Sequence, residues 1–258
     1  MARGGPRPLS LSKTIIIPHD PKRDRCYLDS CLKSLEAHKD ILVVEKGNIS
    51  EARNRAALEA SGEIFVFLDD DVIVRENCLD ELLGPFKDPS IGVVGGVNVA
   101  LPGISLREEI SSALWSSPVA MGRSSARYTP RGGLRDADES ELISCVMAVR
   151  GIAFVFAGGF PVDTIPCEEN VLVNNVVKAG FRAVYNPFAV VYHRRPRVFM
   201  EYWHTIYEYG RGRGLMIRRG QGVPRMVWRP TRKWPYYIVA LLGHYLSYGL
   251  GLLRGLTL

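Results

Sequence analysis

The sequence predicts an α/β fold, a sheet with helices packed against both of its faces. Short β-branched runs alternate with helix-period stretches through the first half of the chain, the pattern of strand–helix–strand units. One of those runs, Ile64–Leu68, is apolar at every position, as a strand covered on both faces has to be. That run ends directly on Asp69-Asp70-Asp71. Ligands of such sheets bind beyond the carboxyl ends of the strands, so the acids mark the working edge.

The elements follow in order. Thr14–Ile17 reads as the first strand. Over Tyr27–Ala37, Leu28, Cys31, Leu32 and Leu35 share one stripe, the spacing of a helix with a buried face. Ile41–Val44 is the second strand. Asn48 with Glu51 three residues on predicts a capping box for a helix reaching about Ser61. Ile64–Leu68 is the third strand, Cys78–Phe86 a helix and Ile91–Val99 a strand with Gly95-Gly96 inside it. Alternation at this spacing predicts a parallel sheet. Gly103 to Ser140 is polar and turn-rich and predicts a mobile excursion over the sheet. Leu142–Val149 and Phe154–Phe156 are apolar again. Glu168–Ala179 predicts a helix stopped by Gly180, followed by two strands, Ala183–Tyr185 and Ala189–Tyr192.

From Pro196 the character changes, and charge marks the change. The net charge of the 258 residues is +6. Residues 1–181 hold 20 Lys and Arg against 25 Asp and Glu, a net of −5. Residues 182–258 hold 13 basic residues and only Glu201 and Glu208, a net of +11. Residues 1–195 are therefore expected to form the sheet domain, and 196–258 a basic, aromatic tail. Such a tail suits an anionic partner, a membrane surface or nucleic acid. With 47% hydrophobic and 23% charged residues, wholesale disorder is excluded. Five cysteines without a C-x-x-C spacing predict free thiols in a reducing compartment. The N-terminal MARGGPRPLSLSK lacks the apolar run of a signal peptide, and cytosolic residence is expected.

Four features could carry chemistry. Three adjacent carboxylates repel one another, and a divalent cation at the sheet edge would offset that cost; Mg²⁺ or Mn²⁺ suit such oxygen ligands and bridge nucleotide phosphates. A solvated acidic turn is the plainer alternative. Glu168-Glu169 stands at a helix start, where acids complement the dipole or one of them serves as a general base. Gly158-Gly159-Phe160 is a turn through which backbone can approach a ligand. His193 ends an apolar strand, within reach of a carboxylate cluster.

Taken together, these stretches resemble the inverting glycosyltransferase family 2. Thr14-Ile-Ile-Ile-Pro18 is similar to the family's opening strand. Ala52-Arg53-Asn54, then Gly62-Glu63 through Leu68-Asp69-Asp70-Asp71, resembles its A-R-N … G-E-x-x-x-F-L-D-x-D stretch. Gly158-Gly159-Phe160 resembles its G-G-F turn, Glu168-Glu169-x-x-Leu172 with Ala179-Gly180-Phe181 its E-D-x-x-L … G-[YF] block, and Tyr192-His193 its V-x-H. The resemblance implies a GT-A fold, a Rossmann-like mixed sheet flanked by helices. It implies that Pro18, His19, Asp20 and Glu45 contact the donor base and ribose, with Arg53, Asp69 and Asp70 also on the donor. Asp71 would bind the metal, with His193 as a further ligand or diphosphate contact. Glu169 would be the catalytic base. Glu45 and Glu169 stand where the family usually has Asp, so Glu168 stays open as the base. Gly158, Gly159, Arg150, Arg194 and Arg195 are candidates to hold the diphosphate or an anionic acceptor.

The expected reaction is a single in-line displacement that transfers a hexose from a nucleotide-diphosphate sugar. Short relatives in the family include dolichyl-phosphate mannose synthases, which favours GDP-mannose over a UDP-sugar. The tail favours a lipid or lipid-linked acceptor. Tyr236–Leu253 carries no charged residue over 18 positions, short for a spanning helix. Leu241, Leu242, Tyr245, Leu246, Leu250 and Leu253 can share one face, as in an interfacial helix on an anionic membrane. Arg229, Arg232, Lys233 and Trp234 precede it, suited to headgroups. The expected location is thus the cytoplasmic face of a membrane, peripheral or monotopic. A UDP-sugar enzyme with a polysaccharide acceptor, a nucleotidyltransferase and a non-catalytic nucleic-acid-binding module are the alternatives. The acidic body argues against nucleic acid, and Pro18-His19-Asp20 stands where a nucleotidyltransferase carries a glycine-rich phosphate loop.

Overall fold

The structure, a computed structural model, describes residues 11–45, 47–164, 166–221 and 235–257, with side chains from residue 242 onward in the last segment. The N-terminal ten residues, Arg229, Arg232, Lys233, Trp234 and the Leu241 side chain lie outside the described residues.

The centre is an eight-stranded mixed sheet in the order β2-β1-β3-β7-β5-β8-β4, with β6 pairing β8. The strands are β1 (Lys13–His19), β2 (Ile41–Glu45), β3 (Ile64–Leu68), β4 (Val72–Val74), β5 (Ile91–Ala100), β6 (Arg135–Asp136), β7 (Val146–Arg150) and β8 (Arg182–His193). Alternation along each strand splits the core in two. Ile15, Ile17, Val66 and Leu68 point to one face, Ile16, Phe65 and Phe67 to the other. The first face is covered by Leu28 and Cys31 of α1 (Cys26–Ser34) and Leu79 and Leu82 of α3 (Cys78–Leu83). The second is covered by Ala56 and Ala57 of α2 (Ile49–Glu59), Phe154 of α6 (Gly151–Ala157) and Leu172 and Val176 of α7 (Glu168–Lys178). Each fully buried Ile or Phe is worth about 1.5–3 kcal/mol relative to exposure. Half of the expected α2 capping box forms: the Asn48 side chain accepts from the Ser50 and Glu51 amides, without a return bond to the Glu51 carboxylate among the described residues.

Three expectations need correction. The sheet is mixed, as the family resemblance implied, and not the parallel sheet that alternation alone predicts. β7 runs antiparallel to both β3 and β5, with Leu68 opposite Val146. The reason is the excursion: it leaves β5 at the carboxyl edge and returns to that same edge, so the next strand has to run backwards. The excursion itself is built, not loose. It contains α4 (Leu106–Trp115), opened by a Ser105–Glu108 capping box, and α5 (Pro118–Met121). Leu114, Trp115 and Tyr128 anchor it in the first core. Finally, the two strands expected across 183–192 are one continuous strand, β8.

The chain after residue 195 shares the same core. Val198 and, on α8 (Met200–Arg218), Tyr202 and Ile206 join the first cluster. The second tail helix, α9 (Pro235–Thr257), lies along α8 with backbone against backbone. A Cβ on Gly210 or Gly214 would strike α9 at Tyr248 or Leu252, and one on Gly251 or Gly255 would strike α8 at Tyr207 or Arg211. Glycines four apart on both helices make that approach possible. The pair is also tied by a 2.8 Å bond between the Tyr202 hydroxyl and His244. The opposite face of α9 is apolar and uncovered: Leu242, Leu246, Leu250 and Leu253 are all more than half exposed. No helix among the described residues is long and apolar enough to cross a membrane.

Candidate active site

The acids at the end of β3 meet His193 through strand register. β4 pairs antiparallel with β8, and Val72 stands opposite His193. This puts His193 Nε2 3.2 Å from Asp71 and 3.9 Å from Asp69. Ligand atoms of Asp69, Asp71 and His193 all fall within 4.8 Å of one another. Two carboxylates and an imidazole converging this way form a donor set that suits a divalent cation. The His193 Nδ1 lies 2.6 Å from the Arg194 carbonyl, which fixes the ring and leaves Nε2 facing the acids.

The electrostatics are strongly coupled. Burial opposes ionisation of Asp69 and Asp71, yet His193, with Arg53 at Asp69 and Arg23 at Asp71, outweighs it and holds both carboxyls below the usual range. Burial likewise opposes a charged His193, but its bonds to Asp69 and Asp71 push the imidazole up to about 10. Arg23 bridges Asp70 at 3.0 Å and Asp71 at 2.8 Å. Asp70 is buried and also lies 2.9 Å from His19 Nδ1. It therefore locks the end of β1 to the end of β3, while Asp69 and Asp71 on either side line the cleft.

A second group stands behind the first. Arg53 on α2 is fully buried; one arm bonds Asp69 at 3.0 Å and the other Glu168 at 3.0 Å. Its guanidinium stacks on Phe160, 5.1 Å from the ring centre. Glu168 also accepts the Cys167 amide at 3.1 Å, so both of its oxygens are engaged. Glu169 is paired with Arg127 at 3.2 Å. Burial and then the Glu168 charge push the Glu169 carboxyl upward, against the pull of Arg127. That makes Glu169 a better proton acceptor than an ordinary glutamate. The pair starts α7 after Cys167, whose φ of +124° is the only positive value for a non-glycine among the described residues. Such backbone is costly for a side-chain-bearing residue. It is held from outside by Gly212 of α8, where a Cβ would collide with the Pro166 carbonyl and meet the Cys167 sulfur.

One cleft of roughly 420 Å³ is lined by Pro18, Arg23, the three acids, Asn98, Trp115, Tyr128, His193, Arg194, Arg195 and Tyr209. Tyr128, then burial and Glu169, push the Tyr209 hydroxyl well up. Glu168 and Glu169 do not line this cleft; they stand behind it, held by Arg53 and Arg127.

The structure brings Pro18, His19, Asp20, Arg53, Asp69, Asp70, Asp71, Glu168, His193, Arg194 and Arg195 together in or beside this cleft. Glu45 ends β2, level with His19 in the parallel pairing. Arg150 does not reach the site. It is paired with Ile64 at the start of β3, and its guanidinium bonds the Phe86, Asp88 and Ile91 carbonyls. The reversed direction of β7 carries it to the opposite edge of the sheet. Gly158 ends α6 in the left-handed conformation, and Gly159 serves packing: it has φ +72°, and a Cβ there would lie 2.7 Å from the Asn54 amide oxygen. Asn54 bonds both the Phe160 amide and its carbonyl, which seats Phe160 under Arg53. The sequence reading missed Arg23, Trp115, Arg127 and Tyr128. Arg23 had a signal in its place just after β1, and Trp115 in the Ser105-x-x-Glu108 start of its helix, α4; Arg127 and Tyr128 sit in a stretch without periodicity. All five cysteines are free, four of them buried.

The sequence profile of Glycosyl transferase family 2 matches residues 15–149. The pre-mycofactocin glycosyltransferase of Mycobacterium tuberculosis is 31% identical over 162 residues, covering 61% of this chain and 33% of that relative. The chain thus spans about a third of the length of this curated relative. Among solved structures, the mannosyltransferase PcManGT from Pyrobaculum calidifontis, in complex with GDP-Man and Mn²⁺, superposes with a TM-score of 0.57 at 16% identity, covering 96% of this chain and 72% of that one. TarS 1–349 of S. aureus in complex with UDP superposes at 0.53 with 13% identity, covering 80% and 65%. At these identities the structural likeness speaks to the fold, which is that of GT-A glycosyltransferases.

Proposed function

The chain belongs to glycosyl transferase family 2 and is a glycosyltransferase, and from that premise we propose that it transfers a hexose from a nucleotide-diphosphate sugar, preferably GDP-mannose, to a lipid or lipid-linked acceptor with inversion. The observation that carries this reading is the shared cleft: the Asp69–Asp71–His193 cluster opens onto it, with the buried Glu168–Glu169 pair directly behind. Asp69, Asp71 and His193 would hold Mn²⁺ or Mg²⁺. When bound, the cation neutralises charge on the departing nucleoside diphosphate.

The chain's own residues do the rest. Pro18 and Glu45, at the ends of β1 and β2, flank the space for the base and ribose. Arg53 fixes Asp69 and keeps Glu168 occupied. Glu169, whose carboxyl burial pushes upward, takes the proton from the attacking acceptor hydroxyl. No second nucleophile is required, because one in-line attack inverts the anomeric centre. The PcManGT neighbour, solved with GDP-Man and Mn²⁺, supports the donor and metal preference. TarS, solved with UDP, favours a second reading, a UDP-sugar donor with a polysaccharide acceptor.

The lipid acceptor rests on α9. Its exposed leucine row and the +11 charge of residues 182–258 support peripheral docking on the anionic, cytoplasmic face of a membrane. The test is a donor panel of GDP- and UDP-sugars with Mn²⁺ or Mg²⁺ and membrane lipid extract, scored for nucleotide release. Release from GDP-mannose that depends on lipid and metal supports the proposal. Release that needs a soluble polysaccharide instead overturns the lipid acceptor.

A further inference from the structure

A second cavity, of roughly 610 Å³, lies against α5 and, among the described residues, shares no lining with the cleft of the acids. Its volume is in the range of sites for small organic ligands. Pro118 and Val119 give it an apolar wall, and Arg123, Arg131 and Arg135 line it together with Glu141.

Two of these arginines are matched by acids. Arg123 pairs with Asp138 at 3.1 Å and Glu141 at 2.6 Å, and Arg135 pairs with Glu141 at 2.6 Å and lies over the Tyr185 ring. Arg131 is not matched. Its Nη2 donates to the Ser116 carbonyl at 2.8 Å, but its guanidinium forms no ion pair among the described residues, and its Nε is buried without a partner. Its Nη1 makes no bond among the described residues either, and unlike Nε it stays open to solvent. A partly buried guanidinium without an acid leaves its positive charge uncompensated, and its planar donors fit phosphate oxygens.

The wall of this cavity is joined to the tail. The Tyr245 hydroxyl of α9 donates to the Val119 carbonyl of α5, and α9 carries the exposed leucine row on its other side. We propose that the cavity binds an anionic lipid by its phosphate, with Arg131 on the phosphate oxygens and the start of the aliphatic chain against Pro118 and Val119. The lipid held there is a docking ligand and not the acceptor. Among the described residues Glu141 is the one carboxylate lining the cavity, and arginines bind both of its oxygens, so no base faces the site. The assignment goes beyond the transfer reaction; its choice of a lipid over free phosphate rests on reading α9 as the membrane-docking helix.

The test is calorimetric titration of the full chain, without metal or nucleotide, with dodecyl phosphate below its micelle-forming concentration, inorganic phosphate and dodecyl maltoside. Wild type and the Leu246→Glu, Leu250→Glu double variant should bind dodecyl phosphate alike. Arg131→Met removes the charge, and Val119→Glu sets an acid on the apolar wall; each should weaken that binding about tenfold. Unchanged melting temperature and Mn²⁺–nucleotide affinity would show the variants folded, and if one of them melts early the other decides. Equal binding in wild type, Arg131→Met and Val119→Glu overturns the site, as does dodecyl maltoside binding as tightly as dodecyl phosphate. Loss of binding in the leucine double variant moves the ligand to α9 and overturns the cavity. Inorganic phosphate binding as tightly as dodecyl phosphate overturns the lipid. A chain that binds dodecyl phosphate through Arg131 yet releases no nucleotide in the donor panel sinks the transfer reading alone.

Discussion

Val72 stands opposite His193 across the antiparallel pairing of β4 and β8, and that register joins a histidine to carboxylates 122 and 124 positions earlier in the chain. One residue of slip would turn His193 to the other face of the sheet. The register therefore makes the cluster of Asp69, Asp71 and His193.

Metal binding should be proton-linked. His193 is held protonated by its acids up to about 10, and a cation needs the neutral imidazole. Apparent Mn²⁺ affinity should rise steeply between pH 6 and 8, on the order of tenfold per unit, and the slope should vanish in His193→Ala. Asp71→Ala should abolish transfer with the fold retained. Calorimetric Mn²⁺ titrations across pH are the measurement; a flat wild-type profile would remove His193 from the ligand set.

The same shifts fix how stability depends on pH without added metal. The raised His193 contributes stability that is full below its ordinary 6.5 and is lost as pH climbs through about 10. The lowered Asp71 contributes above its ordinary 3.8 and is lost as pH falls through its depressed value. Melting temperature should hold between about pH 3.8 and 6.5 and decline outside that window, and His193→Ala should selectively remove the decline from 6.5 toward 10.

The two glutamates should separate into chemistry and structure. Glu169→Gln should lower transfer by about 10²–10⁴-fold with little change in melting temperature. Glu168→Gln breaks a buried pair with Arg53, at a cost of about 3–5 kcal/mol, and should appear mainly as lost stability. If purified Glu169→Gln retains full activity, the role passes to Glu168.

Gly212→Ala should impair the site from outside it. The added Cβ would collide with the Pro166 carbonyl, and overpacking of this kind costs about 1–3 kcal/mol. Because the collision is one residue from Cys167, activity should fall more than the melting temperature suggests. Steady-state rates beside a thermal melt would show whether it does.

Leu246→Glu with Leu250→Glu should release the chain from anionic vesicles in a flotation assay while leaving Mn²⁺-dependent nucleotide binding intact. Both residues face outward on α9, so the fold should tolerate the change. Undiminished flotation of the double variant would remove α9 as the docking surface.

Much of the site could be read from sequence because its residues sit on regular elements. Asp69–Asp71 follow an all-apolar strand, Asn48 caps α2, and Glu168-Glu169 open a helix with a clear stop. Arg127 and Tyr128 could not be read that way, and Trp115, though it closes α4, gave no sign of its partners. They come from a stretch whose order depends on burying Leu114, Trp115 and Tyr128 against a core built by other segments. The purpose of the α9 glycines is visible only against the matching glycines of α8.

The sequence by itself determined the alternation of elements, the charge division and the order of the acidic motifs, because each depends on neighbours in the chain. Only the tertiary structure decided that β7 runs backwards and takes Arg150 away. It alone joined Arg53 to both Asp69 and Glu168, across 16 and 115 positions, and brought Trp115, Tyr128 and Tyr209 into the same cleft as the acids. Such pairings depend on strand register and helix packing, and local pattern carries no record of which distant residue will arrive.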